Sequence, residues 1–237
     1  MGLTKQQWRL AALIAAVIAF EVYRDRISSQ TLIFLAVFIP AVMFHEVSHG
    51  VVALWFGDDT AKRAGRLTLN PLAHIDPVGT LLLPGLLALT GVAPFGYAKP
   101  VPVNVSRLRK PRNQSVLVSL AGPGINVVLS LLAALVFRLL RPEGLTFATL
   151  NDEPAFIQAI VLFGVINIVL AVFNLIPVPP LDGSALLERL LPTRYLPQYY
   201  RLRPYTILLI LALVFFARGG LTAITGPFVD AWARLLV

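Results

Sequence analysis

Two of the chain's three histidines are one helical turn apart, in the segment His45-Glu46-Val47-Ser48-His49. Residues at positions i and i+4 share one face of a helix, so both imidazoles can reach one metal ion. Glu46 lies one step round the helix, where its carboxylate can take a proton from an attacking water. The spacing matches the H-E-x-x-H motif, which presents two zinc ligands and a general base for hydrolysis.

The sequence around this motif is apolar. No charged residue occurs from Thr31 to Phe44, and none from Val51 to Phe56. A carboxylate inside a membrane helix costs about 2.5–3.5 kcal/mol on insertion scales, so it rarely occurs there without a use. The alternative, a polar face exposed to solvent, does not fit these flanks. The motif is therefore interpreted as a functional site.

A catalytic zinc needs a third protein ligand, which leaves one position open for water. The chain has no cysteine, so His74 and Asp182 are the candidates. Asp182 follows an apolar stretch and a proline-rich break, and it precedes Gly183. An Asp-Gly pair is also a common turn, so spacing alone leaves both a ligand and a turn residue open at Asp182.

The composition indicates a membrane protein. Of the 237 residues, 57% are hydrophobic and 14% are charged, against about 45–50% and about 25% in soluble domains. Disorder is excluded, because disordered chains have low hydrophobicity. The absence of cysteine excludes disulfide scaffolds, cysteine nucleophiles and iron–sulfur clusters. The net charge of +8 is interpreted as a topology signal, and we expect no nucleic-acid partner.

The apolar stretches predict an all-α polytopic membrane protein with five to six transmembrane helices. We expect a single integral-membrane domain over residues 1–237. Its motif-bearing core covers about residues 31–190. The segment Thr80–Val92 is short and interrupted by proline, so it predicts a re-entrant segment. Short cytosolic-side strands are expected at Arg66–Asn70, which alternates polar and apolar residues, and at Lys99–Asn104. The predicted helices cover Trp8–Tyr23, Thr31–Phe56, Ser115–Leu140, Ala155–Ile176 and Tyr205–Ala217, with Leu221–Val237 as the sixth candidate.

Most basic residues then fall on one side of the membrane, which the positive-inside rule assigns to the cytosol. We therefore expect the catalytic end of the second helix to face the cytosol, with the metal about a third of the way into the hydrocarbon core. Trp8, Trp55 and Trp232 lie near segment ends, as is typical of interfacial anchors. The cytosolic set comprises Lys5, Arg9, Lys62, Arg63, Arg66, Lys99, Arg107, Arg109, Lys110, Arg112, Arg189, Arg194, Arg201 and Arg203.

Three segments together resemble the site-2 protease family of intramembrane zinc metalloproteases. Two further stretches, Asn70–Pro77 and Lys99–Asn104, resemble its compact prokaryotic branch, which has no sensor domain. The three segments are His45–His49, Ala121-Gly122-Pro123-Gly124-Ile125-Asn126, and Asn174-Leu175-Ile176-Pro177 continuing to Leu181-Asp182-Gly183.

The resemblance implies one zinc ion per chain, bound by His45, His49 and Asp182. It makes Glu46 the general base, which later protonates the leaving amine, and it implies that Asn174 steadies the substrate carbonyl or oxyanion. Asn126 matches a motif asparagine for which a helix–helix hydrogen bond is as good an explanation as a catalytic role. The implied function is cleavage of transmembrane segments, for example of membrane-tethered regulators or remnant signal peptides, in a prokaryotic plasma membrane.

Two alternatives remain at this point. One is a membrane H-E-x-x-H peptidase of the CaaX-processing type, which would take its third ligand from a helical glutamate such as Glu188. The other is a metal transporter or a non-catalytic metal-binding protein, which would keep its function when Glu46 is replaced by glutamine. The sequence leaves the substrate and the oligomeric state open.

Overall fold

The computed structural model describes residues 28–74, 76, 99–140, 150–201, 205–206 and 220–236. The described residues form helices and connecting loops. The six helices with defined bounds are α1 (Ser29–Trp55), α2 (Thr60–Arg63), α3 (Pro111–Leu140), α4 (Ala155–Asn174), α5 (Ser184–Leu190) and α6 (Gly220–Ala233). Single 3₁₀ turns lie at Pro71–Ala73, Val105–Arg107, Leu150–Asp152 and Thr193–Tyr195.

Three of these helices are long and apolar enough to cross a membrane, namely α1, α3 and α4. They contain 27, 30 and 20 residues, with mean hydropathies of 1.8, 2.1 and 2.6. A helix of about 20 residues rises about 30 Å, the thickness of the hydrocarbon core. The helices predicted over Thr31–Phe56, Ser115–Leu140 and Ala155–Ile176 are therefore confirmed.

The three long helices pack against one another around small residues. Val37 and Ala41 of α1 contact Ile166 of α4, and Ala53 of α1 packs with Val118 of α3. Alanine at such contacts lets helix backbones approach closely. Close packing of this kind holds helices together in a bilayer, where the hydrophobic effect does not favour their association. The arrangement brings α1, α3 and α4 to one region, where the predicted site residues lie.

The predicted sixth span over Leu221–Val237 contains α6, of 14 residues. That this segment crosses the membrane stays a prediction. Trp232 is only 3% exposed, because its indole lies against Gly164 of α4 and its Nε1 donates to Ser130 O at 2.9 Å. The interpretation of Trp232 as an interfacial anchor is therefore wrong, whereas Trp55 is 68% exposed.

The expected short strands are absent from the part of the chain that is described. At residues 66–70, side chains instead form hydrogen bonds with nearby backbone atoms. The Arg66 guanidinium donates to Ala73 O, and Asn70 Oδ1 accepts from Leu72 N at 3.1 Å. Such side-chain bonds to nearby backbone compete with strand pairing. Residues 99–104 run beside α1 and have no strand partner among the described residues, so the prediction of strands is wrong for both segments.

Three predicted elements lie outside the described residues, wholly or for the most part. They are the helix over Trp8–Tyr23, the re-entrant segment over Thr80–Val92 and the helix over Tyr205–Ala217, of which residues 205–206 are described as helical. These stay predictions.

Candidate metal centre

His45 and His49 lie on the same face of α1, turned toward α3 and α4. Both are buried, with 6% and 9% of their surface exposed. Their Nε2 atoms are 3.2 Å apart, and the two rings meet edge to face. The helical spacing has therefore brought the two imidazoles to one point, as the sequence predicts.

Asp182 reaches the same point from the loop that follows α4. Its Oδ2 lies 3.1 Å from His45 Nε2 and 3.4 Å from His49 Nε2. Among the described residues, these three side chains form a group that could hold a metal ion, with ligand atoms all within 4.8 Å of one another. The ligand alternative for Asp182 is thus supported over that of a simple turn residue.

The donor set of this cluster fits zinc. His45 Nδ1 lies 2.5 Å from Asn126 Oδ1, and His49 Nδ1 lies 2.7 Å from Val118 O. Because these oxygens only accept, each Nδ1 carries a proton and donates it, which leaves Nε2 as the ring atom that can bind a metal. Asp182 Oδ2 is buried and receives no hydrogen bond. The two Nε2 atoms and Asp182 Oδ2 converge on one point, and this set of atoms matches a His₂-carboxylate zinc site.

A close backbone contact places the loop that carries Asp182. Gly183 N donates to Asn174 O at 2.6 Å, which ties the loop to the last residue of α4. A Cβ on Gly183 would lie 2.5 Å from Leu175 C, a distance that real Cβ atoms do not show. Gly183 is therefore needed for the loop to fold against the helix end, and this contact delivers Asp182 to the histidines.

Gly122 provides the space that α3 leaves for the imidazoles. A Cβ at this position would lie 2.6 Å from His45 Cε1 and would overlap His49 as well. By contrast, Gly124 has nothing within 4 Å of its Cβ position. Gly122 is thus part of the site's shape, and a packing role alone does not explain it.

Glu46 is held by the backbone of residues 99–104, which we call the strap. Its Oε2 accepts a hydrogen bond from Val101 N at 2.9 Å. Because Pro100 and Pro102 flank Val101 and have no N–H, Val101 is the one backbone donor in that triplet. Gly50, one turn beyond Glu46, lets the strap approach, since its Cβ would lie 2.8 Å from Val101 Cγ1.

Asp58 anchors the far end of the strap. Its buried carboxylate accepts hydrogen bonds from Thr60 N at 3.0 Å and from Asn104 N at 2.6 Å. Burial acts to raise the pKa of Asp58, but the donors from Thr60 and Asn104, with the charge of Arg107, together bring this pKa below its usual value. Asp58 is therefore a charged acceptor that fixes the strap beside the end of α1.

Three other candidates lie outside this cluster. Asn174 Nδ2 donates to Leu170 O at 3.0 Å, so its amide is bound back to its own helix. His74 is buried and its Nε2 bonds Thr68 O at 2.9 Å. Glu188 accepts from Tyr200 Oη at 3.3 Å. Neither His74 nor Glu188 belongs to the group of converging ligand atoms.

The sequence reasoning missed Asn167. This residue of α4 is wholly buried, and its Oδ1 accepts from Asn126 Nδ2 at 2.6 Å. A signal was available, because Asn167 is the one polar side chain between Gln158 and Asn174 in the apolar run of α4. The same cost of burying polar groups in a membrane helix that singled out Glu46 applies to it.

The chain is similar to a known peptidase family and to proteins named as zinc metalloproteases. A model of peptidase family M50 matches residues 33–150 and 145–217. "Putative zinc metalloprotease YwhC" of Bacillus subtilis is 43% identical over 158 residues, which cover 65% of this chain and 67% of that protein. "Putative zinc metalloprotease Rip2" of Mycolicibacterium smegmatis is 35% identical over 156 residues, covering 55% of its own length. No solved structure matches the chain.

Proposed function

The chain belongs to peptidase family M50, the site-2 protease family of zinc metalloproteases, and we propose that it is an intramembrane endopeptidase that cuts transmembrane segments of other proteins. The observation that carries the proposal is the cluster in which Asp182, from the loop after α4, meets His45 and His49, two buried residues of a helix apolar enough to span a membrane. A hydrolytic site at that depth is suited to peptide bonds inside or near the bilayer.

We assign His45, His49 and Asp182 as the zinc ligands and Glu46 as the general base. Bound zinc supplies a Lewis acid that polarises the scissile carbonyl and lowers the pKa of the attacking water. Glu46 takes the proton from that water and later delivers it to the leaving amine nitrogen. The bond from Val101 N occupies Glu46 Oε2, so we assign Oε1 as the oxygen that takes the proton.

Asn174 is the proposed donor to the carbonyl oxygen on which charge develops. Its Nδ2 is bound to Leu170 O, and a rotation of the side chain would release it for this role. Donors aimed at a developing oxyanion in a water-poor site lower the barrier strongly. The substrate must be extended where it is cut, because carbonyls within a helix are already hydrogen-bonded.

We also propose where the chain resides and how it is oriented in the membrane. We place the chain in a bacterial plasma membrane as a multi-pass protein of five to six helices with a re-entrant segment. The metal site would lie toward the cytosol. The support comes from the three long apolar helices and from the basic residues of the strap and of residues 107–112, which precede α3.

The test is cleavage of a single-span reporter, a peptide of about 20 apolar residues labelled at both ends, by the purified protein in proteoliposomes. Mass spectrometry of the products should place the cut within the span. Glu46→Gln should keep its zinc and lower the rate by about 10²–10⁴-fold, because a general base contributes that much. A Glu46→Gln variant that cleaves at the wild-type rate would contradict the mechanism.

Glu188→Gln is the matched control. Glu188 is bound by Tyr200 on an exposed surface, so this substitution should leave zinc content and cleavage unchanged. Zinc lost on Glu188→Gln but retained on Asp182→Asn would instead support a peptidase of the CaaX-processing type. Unaltered function in Glu46→Gln would support a metal transporter or scaffold.

A further inference from the structure

A series of buried side chains leads away from the metal cluster into the contact between α3 and α4. Asn126 and Asn167 are wholly inaccessible to solvent, and His45 is 6% exposed. His45 Nδ1 lies 2.5 Å from Asn126 Oδ1, and Asn126 Nδ2 lies 2.6 Å from Asn167 Oδ1. The series ends at Phe163 O, which accepts from Asn167 Nδ2 at 2.8 Å.

The direction of every bond in this series is determined by its last member. Phe163 O is a carbonyl and can only accept, so Asn167 must turn its amide nitrogen toward it. Asn167 Oδ1 then faces Asn126 and accepts from Asn126 Nδ2, which also lies 3.4 Å from Ala41 O. Asn126 Oδ1 is left facing His45, so His45 Nδ1 must be the protonated nitrogen.

We propose that Asn126 and Asn167 are positioning residues that act as a relay, fixing the tautomer and ring orientation of His45 so that its Nε2 lone pair faces the metal. This inference rests on the proposed zinc site and names residues outside its ligand set. Partners on the far nitrogen of a ligating histidine commonly contribute about 10–100-fold to metal affinity.

The competing explanation is that Asn126 only joins two helices. The chain offers a matched control for this, because Ser130 lies one turn beyond Asn126 on α3. Its buried hydroxyl donates to Gly164 O of α4 at 3.0 Å, which is a helix–helix hydrogen bond that touches neither histidine. If helix packing alone matters, losing the hydrogen bond of Ser130 should change zinc affinity as much as losing that of Asn126.

The experiment measures the zinc dissociation constant of the detergent-purified, zinc-loaded protein by titration with a chromophoric chelator. The relay predicts that Asn126→Leu weakens zinc binding by about 10–100-fold, whereas Ser130→Ala leaves it at the wild-type value. Asn167→Leu should weaken binding by about 10-fold, since Asn126 loses the partner that orients it. Equal affinities for wild type and Asn126→Leu would overturn the relay.

A double variant tests whether Asn167 acts through Asn126. The relay predicts that Asn126→Leu with Asn167→Leu binds zinc as Asn126→Leu does alone, while multiplied losses would contradict it. If Asn126→Leu does not fold, Asn167→Leu beside Ser130→Ala decides, and wild-type affinity in Asn167→Leu overturns the proposal. His45→Ala separates the two claims, because tight zinc binding by that variant would overturn the metal site itself.

Discussion

Gly122 lies where α3 crosses the two histidines, and its missing side chain leaves room for both imidazoles. A Cβ there would lie 2.6 Å from His45 Cε1, so Gly122→Ala must displace at least one ring. Overpacking of this kind costs about 1–3 kcal/mol, and here the displaced groups are the proposed metal ligands. We expect Gly122→Ala to lose most of its zinc and all detectable cleavage, measured by metal analysis and the reporter assay.

Gly124→Ala is the control for that substitution. It changes the same residue type two positions along the same helix, at a site with nothing within 4 Å of the new Cβ. Its zinc content and cleavage should match those of the wild type. Normal zinc content in Gly122→Ala, or equal losses in both variants, would show that the close approach at Gly122 does not shape the site.

Sequence reasoning reached His45, Glu46 and His49 because one helical turn fixes their geometry locally. It left Asp182 open between ligand and turn, because the loop's path depends on the contact of Gly183 with the end of α4, which no local spacing encodes. The resemblance to a family supplied that assignment. The partner of Asn126 was out of reach for a related reason, since pairing Asn126 with Asn167 requires knowing how α3 faces α4.

At the scale of elements, the strap holds the proposed general base through the hydrogen bond from Val101 N to Glu46 Oε2. Gly50 permits that contact, since a Cβ there would lie 2.5 Å from Leu67 Cδ2 and 2.8 Å from Val101 Cγ1. Gly50→Ala should push the strap outward and remove the bond from Val101 N to Glu46. We expect cleavage to fall by about 10-fold or more with zinc content unchanged.

A rescue experiment distinguishes this effect from general misfolding. Adding Val101→Ala to Gly50→Ala removes Cγ1, the strap atom nearest the new methyl group, while keeping the backbone N–H. The double variant should recover part of the lost cleavage in the reporter assay. Recovery of none of it, with both proteins folded, would argue that the strap does not position Glu46.

The long helices were predictable because length and apolar content alone decide whether a segment can cross a bilayer. The strands were not, because Thr68, Asn70 and Arg66 find hydrogen-bond partners within a few residues and have no need of a neighbouring strand. The burial of Trp232 on α6 could not be predicted from the sequence either. Its burial depends on Gly164, far away in the sequence and on another helix.

At the scale of the whole molecule, the proposed topology predicts which loops face the cytosol. The chain has no cysteine, so single cysteines can be introduced without background labelling. Ser106 and Asp152 are exposed and lie before and after α3. A membrane-impermeant maleimide on intact bacteria should label Asp152→Cys at once and Ser106→Cys only after permeabilisation. The reverse pattern would place the metal site toward the outer face.

The central claim is that His45, His49 and Asp182, from a helix and a distant loop, together hold one zinc ion. Zinc per chain, measured by mass spectrometry on the purified protein, tests it most directly. We expect about one zinc per chain in the wild type and in Asp230→Ala, whose side chain is exposed on α6. We expect almost none in Asp182→Ala, which loses one of the three proposed ligands. A full zinc complement in Asp182→Ala would contradict it.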